Sequence, residues 1–154
     1  DLAGALLLTQ AVAAPFAILF GRLAKKIGAK RSIYITLGVY TLIVVAAYWM
    51  SQPWHFWVLA GFAGTVQGGS QALSRSLFSA MTPKTRSAEF FGFFDISSKF
   101  AGILGPLLFG IVAALAGTSR FSIVSLIVFF VVGGLLLSRV NEQEGIAVAQ
   151  AENA

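Results

Sequence analysis

The chain has no cysteine, a single histidine and few charges: eleven Lys and Arg with six Asp and Glu, 11% of 154 residues. Without cysteine there is no disulfide framework, no thiol nucleophile and no thiolate metal site, and the redox compartment stays open. One histidine cannot supply an HExxH pair, and neither a GxSxG elbow nor a P-loop is present. Nothing points to an enzyme, and neither a metal nor another cofactor is expected. An ordinary soluble domain carries about 25% charged residues. The polar surface that a water-soluble fold of this size needs is therefore missing. What is present is apolar: 57% of residues are hydrophobic and the mean hydropathy is +0.83. Disorder is excluded by the same numbers, because disordered chains are apolar-poor. A net charge of +5 could suggest nucleic acid. The basic residues, however, sit in short gaps between long apolar runs, as membrane proteins place them. The expected partner is a lipid bilayer and not a nucleic acid.

Crossing a bilayer core of about 30 Å takes roughly 20 apolar residues in a helix. Runs at about 2–20, 32–50, 54–79, 89–117 and 120–139 suit that length. The alternation of membrane strands is absent. The fold class expected is all-α integral membrane, with five transmembrane helices followed by a polar, disordered tail over 141–154. No basic segment precedes the first run, so it does not read as a cleaved signal peptide. Asp1 abuts that run directly, which points to a fragment of a longer protein. Nine of the eleven basic residues fall on or near one side, among them Arg22, Lys25, Lys26, Lys30, Arg31 and Arg139. That side is expected to be cytoplasmic, with the N-terminal end outside and the tail inside. Trp49, Trp54 and Trp57 flank an outer loop as an aromatic belt would, and His55 among them reads as an interfacial bystander.

The third and fourth runs differ from the rest. On the third, Gly64, Gln67, Gln71, Ser74 and Arg75 recur at three-to-four-residue spacing, on one helix face. Gly64 and Gly68 stand in GxxxG register for close helix contact. On the fourth, Asp95, Ser98, Gly102 and Gly105 share a face, with Lys99 one turn beyond Asp95, and Pro106 should kink the helix. Helical rise puts Asp95 roughly 9 Å and Lys99 roughly 15 Å deep, level with Gln71 at about 12 Å and Gln67 at about 18 Å. Buried charge at that depth marks a substrate or ion pathway by default, so a polar cavity between these two helices is expected. Plainer roles stand beside this one. Asp95 and Lys99 can neutralise each other, Gln67 and Gln71 can hold helices together, and Arg75 can snorkel to the cytoplasmic end. Arg86 belongs to the same cytoplasmic end. Glu89 suits the first turn of a helix.

The stretch GRLAKKIGAKR at 21–31 resembles the GxxxDxxGRR loop of the major facilitator superfamily, matching at Gly21, Gly28, Lys30 and Arg31. Lys25 replaces the aspartate, which resembles the degenerate copy in the C-terminal half. QGGSQALSRSLFSAMTPKTRSAEFFGFFDISSKFAGILGPLLFG at 67–110 resembles the vacuolar effluxer family, the autophagy-related amino-acid exporters of fungal vacuoles and their bacterial relatives. The resemblance implies helices eight to twelve of a twelve-helix fold. Residues 1–140 would then be part of the C-terminal six-helix bundle, with the N-terminal half of the same protein as partner. It further implies a secondary transporter that moves a small solute, amino acids among the candidates, by alternating access. Gln67, Gln71, Ser74, Asp95, Ser98 and Lys99 would line the path, Asp95 is the carboxylate available for protons, and Gly102, Gly105 and Pro106 would let the helix bend. The membrane would be the inner membrane of a bacterium or the vacuolar membrane of a fungus. The competing reading is a non-transporting scaffold or receptor subunit with a packed polar interface between helices.

Overall fold

The computed structural model describes residues 2–153, without the side chains of Leu2 and Ser119. Its elements are α1 (Leu2–Ile27), α2 (Ala29–Tyr48), α3 (Pro53–Ala80), a 3-10 turn (Lys84–Arg86), α4 (Ser87–Ala116), α5 (Ser119–Arg139) and α6 (Glu142–Glu152). No strand occurs among the described residues. Four helices are long and apolar enough to cross a membrane: α1, α2, α4 and α5. α3 has the length, at 28 residues, but its glycines, glutamines and serines keep it less apolar than those four. The chain forms two compact units that divide between Ser76 and Leu77.

In the first unit, α1 continues past its apolar run and carries Lys25 and Lys26 in its last turn. One residue, Gly28, separates it from α2. Its φ of 92° and ψ of 151° lie where a side chain is strained. The Gly28 N–H donates to the Ala24 carbonyl at 2.9 Å, and its own carbonyl accepts from the Ser32 N–H and hydroxyl at 3.2 and 2.9 Å. Both polar groups of the turn are thereby satisfied. α3 packs against α1 through backbone. A Cβ on Gly64 would lie 2.6 Å from the Thr9 carbonyl oxygen, and one on Gly68 would lie 2.7 Å from the Ala13 carbonyl carbon. The Thr9 hydroxyl, shared with Ala5, reaches across to the Ala60 carbonyl at 3.1 Å. A second stripe of α3, Val66, Ser70 and Leu73, turns inward, with Val66 and Leu73 fully buried. Ser70 donates to the Gln67 carbonyl and is hydrogen-bonded to Tyr40 of α2.

In the second unit, α4 and α5 pack along each other. Thr118 caps α5 by accepting from the Arg120 N–H, and α4 ends at Gly117 in the left-handed conformation. Phe78, at the end of α3, meets Phe91 edge-on and Phe94 at a tilt, with centroids 5.5 and 4.8 Å away. α6 corrects the expectation of a disordered tail. Asn141 caps it by accepting from the Glu144 N–H and donating to the Glu144 carboxylate. An isolated helix of 11 residues is marginal in water, so docking has to supply the rest. Ala149 is 2% exposed, Gly145 abuts Met81, and the Lys84 N–H donates to the Asn153 side-chain oxygen at 2.8 Å.

Candidate functional site

The two polar faces fall in different units. On α3, Gln67 and Ser74 are half-buried and Gln71 is exposed. Residues 67, 71 and 74 follow helical spacing, so they share a face that adjoins Gly64 of the α1 contact and lies away from the inward Val66–Leu73 stripe. α3 thus binds α1 by backbone contact on one side and is buried on another, with two carboxamides and a hydroxyl bordering the α1 contact. Of the glycines singled out by spacing, Gly64 and Gly68 make close contacts, and Gly69 adds a third against Phe20 that spacing did not flag. Arg75 is exposed near the end of the same helix.

α4 buries none of its residues within its unit. Asp95, Ser98 and Lys99 are exposed, and the Ser98 hydroxyl donates to the Phe94 carbonyl at 2.8 Å. Gly102 and Gly105 face open space, so a Cβ there would meet nothing within 4 Å. The helix runs on through Pro106, whose missing N–H leaves the Gly102 carbonyl without that intrahelical bond. At the N-terminal end, Arg86 and Glu89 form an ion pair at 2.8 Å, both more than half exposed. Glu89 thus adds a pairing role to its favourable position in the first turn. Exposed pairs of this kind are worth about 0–1 kcal/mol.

In the loop motif, Gly28 is required by its backbone angles, whereas Gly21 has open space around it. Lys25 and Arg31 are exposed and Lys30 is half-buried. Two features escaped the sequence. His55 is no bystander: its Nδ1 accepts from the Ser51 and Gln52 N–H groups at 3.3 and 3.2 Å, closing the start of α3. A cavity of about 460 Å³ lies between α6 and the foot of α4, lined by Thr82, Lys84, Ser87, Gln150 and Asn153 among others. Only a docked α6 creates it. No cluster of metal-ligating side chains occurs among the described residues.

Long apolar helices with polar stripes along two of them define a multi-pass α-helical membrane protein. The chain belongs to the family described as vacuole effluxer Atg22 like, whose model matches residues 2–150. That family consists of transporters and not of enzymes. The chain is 45% identical over 148 residues to the uncharacterized MFS-type transporter YxiO of Bacillus subtilis, covering 96% of this chain and 35% of that protein. It is 32% identical over 117 residues to autophagy-related protein 22 of Eremothecium gossypii, covering 76% of this chain and 22% of that protein. Against autophagy-related protein 22 of Yarrowia lipolytica it is 33% identical over 82 residues, or 53% of this chain and 14% of that protein. The chain thus spans about a third or less of the length of these relatives. No solved structure matches it.

Proposed function

We propose that the chain is the C-terminal part of a secondary active transporter that moves a small solute, amino acids foremost, by alternating access. The observation that carries this is the similarity to an MFS-type transporter over 96% of the chain. In this reading α3 crosses the membrane as a fifth span, its polar content serving the pathway and not the lipid. The basic ends lie in the cytoplasm, and the missing N-terminal half closes the other side of the path. The physical support is the exposure of Gln71, Asp95 and Lys99. Charges at membrane depth cost several kcal/mol unless they meet protein or water. Exposed within their own unit, they are suited to a water-filled path. Gln67, Gln71, Ser74 and Ser98 bind polar substrate groups, while Asp95 and Lys99 pair in one state and part in another. Asp95 is also the carboxylate through which protons would couple. Gly102, Gly105 and Pro106, unencumbered by neighbours, let α4 bend.

The test is transport of an amino-acid panel by the full-length protein in proteoliposomes, comparing wild type with Asp95→Asn and Gln71→Leu. Transport is expected to fall at least tenfold in both. Undiminished rates in Asp95→Asn would remove that carboxylate from the mechanism, and absence of amino-acid transport by wild type would remove the substrate class.

A further inference from the structure

Charge is unevenly distributed along this chain. No acidic residue occurs between Asp1 and Glu89, yet Arg22, Lys25, Lys26, Lys30 and Arg31 fall within ten consecutive positions. The fold gathers them. α1 carries the first three in its final turns, Gly28 reverses the chain in one residue, and Lys30 and Arg31 open α2. Arg22, Lys25, Lys26 and Arg31 are exposed. The turn is pinned at both ends by the Gly28 hydrogen bonds, so these cations cannot spread as they would on a flexible loop. Five like charges held on helical backbone repel one another. Their own stretch of sequence supplies no carboxylate to offset that. Above and below the patch, Ile18, Leu19 and Ile35 are 63, 55 and 44% exposed. Apolar side chains that open to their surroundings on both helices place the cations at the level of lipid headgroups.

We propose that the α1–α2 turn is a binding site for anionic phospholipid headgroups, taken from the membrane surface against which it lies. The site rests on the reading of α1 and α2 as membrane spans. Lys ammonium and Arg guanidinium groups both donate to phosphodiester oxygens, with the Arg fork able to engage two at once. A headgroup of net negative charge offsets the patch. A zwitterionic one brings its own ammonium and does so poorly. Each Lys or Arg held at an anionic surface strengthens binding roughly fivefold.

The experiment uses the full-length protein in nanodiscs of three parts phosphatidylcholine to one part phosphatidylglycerol, with retained lipids counted by native mass spectrometry. Wild type is expected to retain phosphatidylglycerol and phosphatidylcholine in a ratio roughly fivefold or more above the bulk ratio of one to three, with the excess shrinking at high salt. Lys25→Gln/Lys26→Gln/Arg31→Gln should return the ratio to bulk, and Lys25→Arg/Lys26→Arg should preserve it. Equal ratios in wild type and the Gln variant, or a ratio indifferent to salt, overturn the proposal in favour of a carboxylate elsewhere in the protein as counter-charge. Should the Gln variant fail to fold, the salt series and the Arg variant decide. Resistance of the protein to alkaline extraction reports separately on whether it spans the membrane.

Discussion

Gly68→Ala is the sharpest perturbation of the first unit. The added Cβ would fall against the Ala13 carbonyl, 2.7 Å from its carbon and 3.0 Å from Cα. Ordinary carbon contacts lie at about 3.5–4.0 Å, so α1 and α3 must part by roughly 1 Å. Overpacking of that kind costs typically 1–3 kcal/mol. The same separation stretches the bond from Thr9 to Ala60, now 3.1 Å, beyond useful length. Interhelical hydrogen bonds in membranes contribute about 0.6 kcal/mol on average. The total is about 2–4 kcal/mol, and it appears as a lower midpoint in detergent unfolding followed by size-exclusion fluorescence. Gly61→Ala and Gly102→Ala are the controls, since a Cβ at either meets nothing within 4 Å. A double-mutant cycle sharpens the point. Thr9→Ala should cost less in the Gly68→Ala background than in wild type, because the bond it removes is already broken. If Gly68→Ala matches Gly61→Ala in stability, the close approach of α1 and α3 is refuted.

Four further outcomes are expected. Gly28→Ala should destabilise by about 1–3 kcal/mol, because its φ of 92° strains any side chain, while Gly21→Ala should be near neutral in the same unfolding assay. His55→Ala should cost about 1 kcal/mol by uncapping α3, read as faster hydrogen exchange over residues 51–56 with the rest unchanged. Ser122→Ala should stabilise by about 1 kcal/mol, since the Ser122 hydroxyl is buried without a hydrogen-bond partner among the described residues. A loss of stability would show that this hydroxyl has a partner after all. Ala149→Asp should release α6, so that residues 142–152 become protease-sensitive and hydrogen exchange at Lys84 accelerates together with them. Unchanged exchange at Lys84 would detach that amide from α6.

Much of the fold was legible because a bilayer imposes one length and one polarity on whatever crosses it. Runs such as 121–137 have no other reading. The polar face of α3 was legible for a related reason: Gln67, Gln71 and Ser74 recur with the helical period, which is a property of the sequence itself. Contacts were not. Gly61, Gly64 and Gly68 recur at three- and four-residue spacing on one side of the helix, yet a Cβ meets α1 only at the last two, because α1 crosses at that height and the period cannot say so. α6 was missed since its composition is polar and its helix short. Its order comes from Met81 and Lys84, far away in sequence. His55 was misjudged because an imidazole accepting from backbone N–H groups three and four residues earlier fits no capping pattern built from Ser, Thr, Asp or Asn.

The bond from Lys84 to Asn153 joins residues 69 apart in the chain. Chains grow at about 5–20 residues per second, so Asn153 emerges roughly 3–14 s after Lys84. For all that time the link between α3 and α4 lacks this acceptor for its N–H donor, while the contacts of Phe78 with Phe90, Phe91 and Phe94 can already form. The segment in the middle of the unit is therefore completed only after α5 has been made. A chain terminated within α6 would carry α1 to α5 with the α3–α4 link never closed.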